Sequence, residues 1–507
     1  MTFEQLLQGA EVLSWAGNPP VSGLEYDSRR VKPGDLFVAM RGQSSDGAKF
    51  IDDAISRGAV AIVTDSSTEE PRPNMPWALV VNGRRALARL SANFYKRPAE
   101  RLAITGITGT NGKSTVAFLV EWIFEAADRK SALVGTIEYH VAGKTLPAPH
   151  TTPEALDLNR ILSEALKSGA TEAVMEVSSH ALAQQRVYGI PFDVAVFTNL
   201  TRDHLDYHHT MEEYFAAKRV LFEGCGTDGP RAAVINLEDE YGKKLVEVSG
   251  KHGSEVFTYG LTQGDFHAER AEVTSRGTRF DLVAPSGMMP VFSPLIGRVN
   301  VLNVIAAAAA AFARGCEQAA VVKGIETLGR VPGRFERVDC NQPFTVVVDY
   351  AHTDDALRNL TALAREFVRQ AGHGGRVITV FGCGGDRDRA KRPLMGEAAG
   401  RGSDFVMLTS DNPRSEDPLA IINDAMVGLQ RAGAKYTVEP DRRTAVAMAV
   451  AEARPGDIVL IAGKGHEKVQ VTREGSHPFD DVEVAQQALQ AAGYNCKAAN
   501  AVAGKNA

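Results

Sequence analysis

The chain has 507 residues, 44% hydrophobic and 23% charged, with a formal net charge of −6. That balance belongs to an ordinary folded protein; it excludes a disordered or collagen-like chain and argues against a nucleic-acid partner, which calls for a basic excess. At roughly 150 residues per domain the length allows about three domains.

In chain order, residues 1–98 alternate short β-rich pieces (35–40, 60–64, 78–81) with helical stretches (52–57, 84–95), the pattern of a small α/β domain closed by Pro98. A second alternation covers 99–331. Strand-like 102–107 runs into a Gly/Thr-rich loop and a helix over 115–127. Strand-like 131–134, helical 156–168, strand-like 172–177 and strand-like 194–198 follow, implying a mostly parallel sheet covered on both faces. The apolar run 304–313 is well short of the ~20 residues of a membrane span and predicts a buried helix. The turn-rich 329–334 opens a third alternation over 332–496, with strands 345–349, 376–381, 405–409 and 458–462 and helices such as 356–370 and 444–453. The tail 497–507 is small and polar and is expected to be disordered. The N-terminus lacks the basic-then-apolar pattern of a signal peptide. The five cysteines (225, 316, 340, 383 and 496) show no metal or redox spacing, and the simplest reading is a reducing cytoplasm.

The first chemical signal is Gly109-Thr110-Asn111-Gly112-Lys113-Ser114-Thr115, between a strand and a helix. Glycines let successive N–H groups curl around one anion, and the helix N-terminus adds partial positive charge. Lys113 can neutralise phosphate charge and Ser114 can ligate Mg²⁺. The common P-loop has a glycine where Ile107 stands; here Gly106 comes one residue earlier. A ligand-free glycine turn is the plainer alternative, and Gly-Lys-Ser-Thr speaks against it. The loop by itself indicates ATP or GTP and names no reaction.

Ligands collect at the carboxyl ends of strands in open parallel sheets. Glu176 ends one predicted strand, and the segment from Asn199 to His208 follows another. Carboxylate oxygen suits Mg²⁺, so Glu176 is a candidate ligand, and His204 is a candidate to hold the metal or a water. Taken singly, each is as readily a helix cap or an ion-pair member.

Together these motifs, with Asn300 and Asn303, Pro332-Gly333-Arg334-Phe335-Glu336 and Asp349-Tyr350-Ala351-His352-Thr353, resemble the Mur ligases of bacterial cell-wall synthesis in order and over nearly the whole chain. The resemblance implies three α/β domains: a UDP-sugar domain, a central ATP domain with a P-loop-type, mostly parallel sheet, and a Rossmann-like C-terminal domain for the incoming amino acid. It implies that ATP phosphorylates a carboxylate and an amine attacks the acyl phosphate. Asn303, Arg334 and Asp349 would complete the ATP site. Lys113, Lys218, His204 and His352 would form the catalytic set. Lys218, in Tyr214-Phe215-Ala216-Ala217-Lys218, matches a lysine carbamylated by CO₂, which with Ser114 and Glu176 would serve Mg²⁺.

Ser410-Asp411-Asn412-Pro413-Arg414 is similar to the signature of the branch that adds meso-diaminopimelate. An arginine fork suits that ligand's extra carboxylate, which lysine lacks. Arg387, Asp411, Asn412, Pro413, Arg414, Gly463 and Glu467 are the implied amino-acid contacts, with Glu467 suited to an ammonium. The UDP-N-acetylmuramoyl dipeptide maps onto Tyr26, Ser28, Gln43, Ser44, Ser45, His150, Thr151, Thr152, Ser178, Gln184 and Arg186. Gln43-Ser44-Ser45 departs from the family's usual His-Gln, and His150 stands where an asparagine is common. The rest of the expectation is a cytoplasmic monomer acting on small molecules, with no membrane and no nucleic acid. The competing readings are a lysine-adding or folate-extending ligase, which Arg414 and the Ser28-bearing domain disfavour. A P-loop ATPase switch is more distant, because the second acidic strand ends in Glu176 and a Ser/His segment.

Overall fold

A computed structural model describes residues 1–42, 45–67, 72, 74–274, 276–372 and 374–496. Gln43, Ser44 and the tail 497–507 lie outside the described residues.

The central sheet has eight strands. Glu255–Tyr259, Ala232–Asn236, Val194–Phe197, Ala103–Thr108, Glu172–Glu176 and Ser131–Val134 run parallel in that order. Glu138–Val141 and Lys144–Pro147 extend it antiparallel at one edge. Ala103–Thr108 carries almost nothing but small and β-branched residues and is buried over most of its length, as a strand covered on both faces must be. Glu176 sits opposite Ile107, and Phe197 opposite Thr108. Three strands therefore finish at one level, where the chain order reverses across the sheet and where the glycine loop begins.

The helix after that loop is Lys113–Ala126, with nine buried side chains. Against it lies Arg298–Ala313, in which Ala306 to Ala311 are each 0% exposed. A helix apolar on every side belongs in the middle of a core, so the expected buried helix over 304–313 is found inside this longer one.

The N-terminal sheet holds five strands. Trp77–Val80, Ala61–Thr64, Asp35–Ala39 and Gly23–Glu25 are parallel, and Val12–Ala16 is an antiparallel edge. The C-terminal sheet holds six, in the order Glu336–Val338, Thr345–Asp349, Ile458–Ala462, Val377–Phe381, Phe405–Leu408 and Tyr436–Val438, the first antiparallel and the rest parallel. Ile458–Ala462, Val377–Phe381 and Phe405–Leu408 are neighbours. The loops that follow them, carrying Gly463 to Glu467, Gly382 to Asp388 and Ser410 to Arg414, consequently gather at one end of the sheet. The α/β fold class expected from the alternation is the one observed.

Two features depart from the sequence reading. A separate three-stranded antiparallel sheet, His267–Thr274, Gly277–Ala284 and Gly287–Ser293, occupies a stretch in which no strands are expected. Cys340 and Cys496 form a disulfide across 156 residues, while Cys225, Cys316 and Cys383 are free and buried. Sequence spacing hid that pair because the fold alone brings the chain's last described residue beside the entry to the C-terminal sheet. Among the described residues no helix is long and apolar enough to cross a membrane.

Candidate active site

The glycine loop is tight for a reason visible in its neighbours. A Cβ on Gly109 (φ +148°) would lie 1.9 Å from Thr198 Oγ1, and one on Gly112 (φ +89°) 2.5 Å from Asn303 Oδ1. Only glycine allows this approach of loop to strand end and helix. Lys113 Nζ donates to the carbonyls of Gly109 (3.0 Å) and Thr110 (2.9 Å). Burial pushes its pKa down. Thr110 Oγ1 lies 3.2 Å from Tyr214 Oη, and Asn111 N–H donates to Asn199 Oδ1 at 2.9 Å. Arg334, from the C-terminal side, donates to Ser114 Oγ at 3.2 Å and stacks on Tyr350 at 4.8 Å. A cavity of about 450 Å³ opens beside the loop. Asn111, Gly112, Thr115, Asn303, Arg334 and Asp349, all expected at an ATP site, line it. Asp349 ends its strand and accepts the Phe335 N–H at 2.7 Å; burial raises its pKa while Arg334 opposes the rise.

Lys218 is 1% exposed. Its Nζ donates to the Gly109 carbonyl at 2.8 Å and lies 4.7 Å from the centre of the Tyr214 ring. Burial, then the charge of Lys113, hold its pKa well below the usual lysine range. His204 takes a left-handed φ of +53° at the start of a short helix, with Nε2 3.4 Å from Asp203 Oδ2. Burial and its cationic neighbours push its pKa down. His352 places Nε2 3.7 Å from the same Asp203 oxygen, and its Nδ1 lies 2.9 Å from the Tyr350 carbonyl. Asp203 also meets Lys391 Nζ at 3.4 Å. One buried carboxylate thus joins the two expected histidines to a lysine of the C-terminal sheet's helices, a hub that the sequence reading passed over.

Glu176 is 1% exposed; its oxygens accept from Thr136 N–H (2.7 Å) and Thr136 Oγ1 (2.9 Å). Thr136 Oγ1 continues to Thr151 Oγ1 at 3.0 Å. Thr152 Oγ1 donates to the Glu176 carbonyl (2.8 Å), and the Ser178 N–H donates back to Thr152 Oγ1 (3.1 Å). Arg186 holds the Thr152 carbonyl at 2.8 Å and Gln184 Oε1 at 2.8 Å. Thr151, Thr152, Ser178, Gln184 and Arg186 therefore form one network with Glu176. Tyr26 Oη donates to Asp157 at 2.8 Å, tying the N-terminal sheet to the central domain. Ser28 is buried, and its hydroxyl is turned to Asp53. Ser45 and His150 are exposed. Among the described residues these last three side chains do not hydrogen-bond to the Thr152 network.

At the C-terminal loops, the Gly385 N–H donates to the Asn412 carbonyl at 2.9 Å, and the Pro413-Arg414 turn docks through Arg414 N–H on the Val471 carbonyl at 3.0 Å. Arg414 has a left-handed φ of +53°. Its guanidinium donates to the Gly385 carbonyl at 2.7 Å, and Arg387 donates to the Asp386 carbonyl at 2.9 Å. Neither guanidinium forms an ion pair among the described residues. Burial and then the like charge of Arg387 lower the pKa of Arg414, while Asp411, Glu467 and Asp386 oppose the shift. Glu467, Asn412 and Asp411 lie alongside, joined by the buried Lys464, and Gly463 donates to the Asp349 carbonyl at 3.0 Å. Asp349, which lines the ATP-side cavity, is thus hydrogen-bonded to the loop that carries Glu467.

The donor set fits a magnesium ion better than a protein-caged metal. Among the described residues no group of three or more His, Cys, Asp or Glu side chains is arranged to hold a metal ion. Mg²⁺ ordinarily takes one or two protein oxygens and completes its shell with phosphate and water, which Ser114 and Glu176 beside the loop can accommodate.

Residues 20–95 match the Mur ligase family catalytic domain, 107–311 the Mur ligase middle domain, and 333–465 the Mur ligase glutamate ligase domain. The chain is 54% identical over 476 residues to a UDP-N-acetylmuramoyl-L-alanyl-D-glutamate–2,6-diaminopimelate ligase from Solibacter usitatus, covering 94% of each chain. It is 46% identical to a protein of the same name from Geobacter metallireducens, covering 91% of this chain and 93% of that one. A solved structure of that ligase superposes with a TM-score of 0.67 at 35% identity, covering 98% of this chain and 100% of that one. A MurF ligase from Thermotoga maritima in complex with ADP shares the fold, at 19% identity and a TM-score of 0.64 over 93% of this chain and 97% of that one. With relatives this similar over nearly its whole length, the chain belongs to the Mur ligase family.

Proposed function

We propose that this chain is an ATP-dependent ligase that joins meso-diaminopimelate to the D-Glu side-chain carboxylate of UDP-N-acetylmuramoyl-L-alanyl-D-glutamate, for peptidoglycan synthesis. The observation that carries the choice of amino acid is the pair Arg387 and Arg414, two guanidiniums left without a carboxylate next to Glu467. The far end of diaminopimelate offers both a carboxylate and an ammonium and answers both charges, whereas the far end of lysine has no carboxylate and would leave the arginines unpaired.

In this reading, a carboxylate oxygen of the dipeptide attacks the γ-phosphorus, the bond to the bridging oxygen breaks, and ADP leaves. The amine then attacks the acyl carbon, and phosphate departs with the pair of electrons of the acyl–oxygen bond. The loop N–H groups, Lys113 and Arg334 hold phosphate charge, and Asn303 and Asp349 line the space for the nucleoside. Ser114 and Glu176 would hold Mg²⁺, which supplies charge neutralisation when bound. Lys218, whose depressed pKa keeps a neutral amine available, would add to CO₂ and lose a proton to become an anionic carbamate. His204 and His352 share Asp203 and so stand ready to handle protons near the reacting carboxylate. The Thr152 network, with Tyr26, Ser28 and Ser45 along the N-terminal domain, would take the sugar nucleotide. In this reading the enzyme acts on small molecules as a cytoplasmic monomer.

The test is ADP release with the UDP dipeptide, comparing meso-diaminopimelate with L-lysine. Release that requires the dipeptide and diaminopimelate together is the expected result. Equal rates with lysine would overturn the amino-acid assignment, and release without the dipeptide would overturn the ligase.

A further inference from the structure

Lys464 is wholly enclosed beside the loops that carry Arg414 and Glu467, at 0% exposure, yet it is not among the groups expected to touch a ligand. Burying an ammonium is unfavourable unless its protons are met. Here they are. Nζ donates to Asn412 Oδ1 (2.8 Å), to the Val469 carbonyl (2.8 Å) and, more weakly, to Glu467 Oε2 (3.4 Å). Asp411 Oδ1 stands 3.3 Å away. The lysine thereby pins three separate segments together: the loop after Phe405–Leu408, the loop after Ile458–Ala462, and the hairpin strand Val469–Thr472.

The consequence runs through an amide whose orientation is forced. Asn412 Oδ1 also accepts the Val471 N–H at 2.9 Å. With two donors facing it, that atom must be the oxygen, and the NH₂ group must point the other way. It points to Glu467 Oε2, at 2.8 Å. Glu467 Oε2 is therefore occupied by Asn412 and approached by Lys464. Glu467 Oε1 has no hydrogen bond among the described residues, and the side chain is 29% exposed. One carboxylate oxygen is held by Asn412 and Lys464, and the other is without a hydrogen bond among the described residues, on a side chain near enough to Arg414 to act on its charge.

We infer that Lys464 is the positioning residue for amino-acid recognition. Without reaching the ligand, it fixes Asn412, and through Asn412 it holds Glu467 with one oxygen free to take the ammonium of the incoming amino acid. The inference rests on the diaminopimelate reading above and adds to it the element that sets the carboxylate.

The experiment compares Lys464→Met with the parent enzyme, measuring KM for diaminopimelate, ATP and the UDP dipeptide. Methionine keeps most of the side chain's volume and removes its protons. The expected result is a rise of at least about tenfold in KM for diaminopimelate, with the other two KM values within about twofold of the parent. A KM for diaminopimelate that stays within about twofold, or all three rising together, would overturn the inference. Should Lys464→Met fail to fold, Asn412→Asp decides. Aspartate still offers an oxygen to Lys464 and to the Val471 N–H, but sets a second carboxylate oxygen against Glu467 Oε2. At parental thermal stability, the inference requires a weakened diaminopimelate KM, and an unchanged KM refutes it. The parent enzyme separates the two readings: if it prefers another amino acid, the diaminopimelate assignment fails, and the same KM split measured with the preferred amino acid still judges Lys464.

Discussion

Lys113 and Lys218 donate to the same atom, the carbonyl oxygen of Gly109, at 3.0 and 2.8 Å. Two lysine amines converging on one acceptor disfavour charge on both, and Lys218, at 1% exposure, carries the larger consequence. A carbamate on Lys218 would set a negative charge beside Lys113 and turn that conflict into attraction. Lys218→Met is expected to lower kcat by about 10²–10³-fold, the scale of losing one well-placed electrostatic contact. The parent enzyme should lose activity in CO₂-free buffer and recover it with bicarbonate, while the variant should ignore bicarbonate. Parent kinetics indifferent to CO₂ would remove the carbamate from the mechanism.

Arg414 forms no ion pair among the described residues, so its removal should act on one substrate alone. Arg414→Ala is expected to raise KM for meso-diaminopimelate by about ten- to a hundredfold, corresponding to roughly 1.5–3 kcal/mol for hydrogen bonds to a charged group. KM for ATP should hold. Discrimination against L-lysine should shrink, because the penalty for leaving the guanidinium unpaired is gone. Steady-state kinetics with both amino acids checks this, and an unchanged diaminopimelate KM contradicts it.

Asp203 and Lys391 are 5% and 7% exposed and join a loop of the middle region to a helix of the C-terminal region. Removing one partner of a buried pair strands the other, at a typical cost of about 3–5 kcal/mol. Lys391→Met should therefore depress kcat/KM by at least about 10²-fold. The double variant Asp203→Asn with Lys391→Met should be less impaired than the product of the two single losses, because no lone charge remains. Strictly multiplicative losses would show that the pair does not act as a unit.

His140 lies between two carboxylates, with Nδ1 2.7 Å from Glu121 Oε2 and Nε2 2.9 Å from Glu138 Oε1. Burial opposes the charge, but the two glutamates outweigh it and raise the pKa to about 9. A raised histidine stabilises the fold fully below its unfolded value of about 6.5 and loses that contribution as pH rises through about 9. Melting temperatures of the parent and of His140→Gln should accordingly differ most near pH 6 and converge above pH 9. At about 2–4 °C per kcal/mol for a domain of this size, the gap is measurable by calorimetry. Parallel curves would rule out the ion triad as a source of stability.

How much of this was legible beforehand depends on whether partners are near in sequence. The glycine loop is contiguous, so its chemistry can be read from seven letters. The strands Ala103–Thr108, Glu172–Glu176 and Val194–Phe197 are short apolar runs between helical periods, which makes their parallel sheet readable as well. The edge strand Lys144–Pro147 is exposed at all four residues and carries no buried face to announce it. Lys464, Lys391 and Asp203 were missed for another reason. A lone lysine or aspartate looks like surface until its partners, 188 residues away for Lys391 and 52 for Asn412, are brought beside it.

The contact of Arg334 with Ser114 joins groups from the middle and C-terminal regions of the chain, as do Asn111 with Asp355 and Asp203 with Lys391. The chain consequently cannot be divided into separately informative parts. A recombinant fragment ending before residue 332 would retain every glycine of the loop and still present a nucleotide cleft missing one wall. Compounds selected against such a fragment would be fitted to a shape that the intact protein never offers, and inhibitor screening should start from the undivided chain.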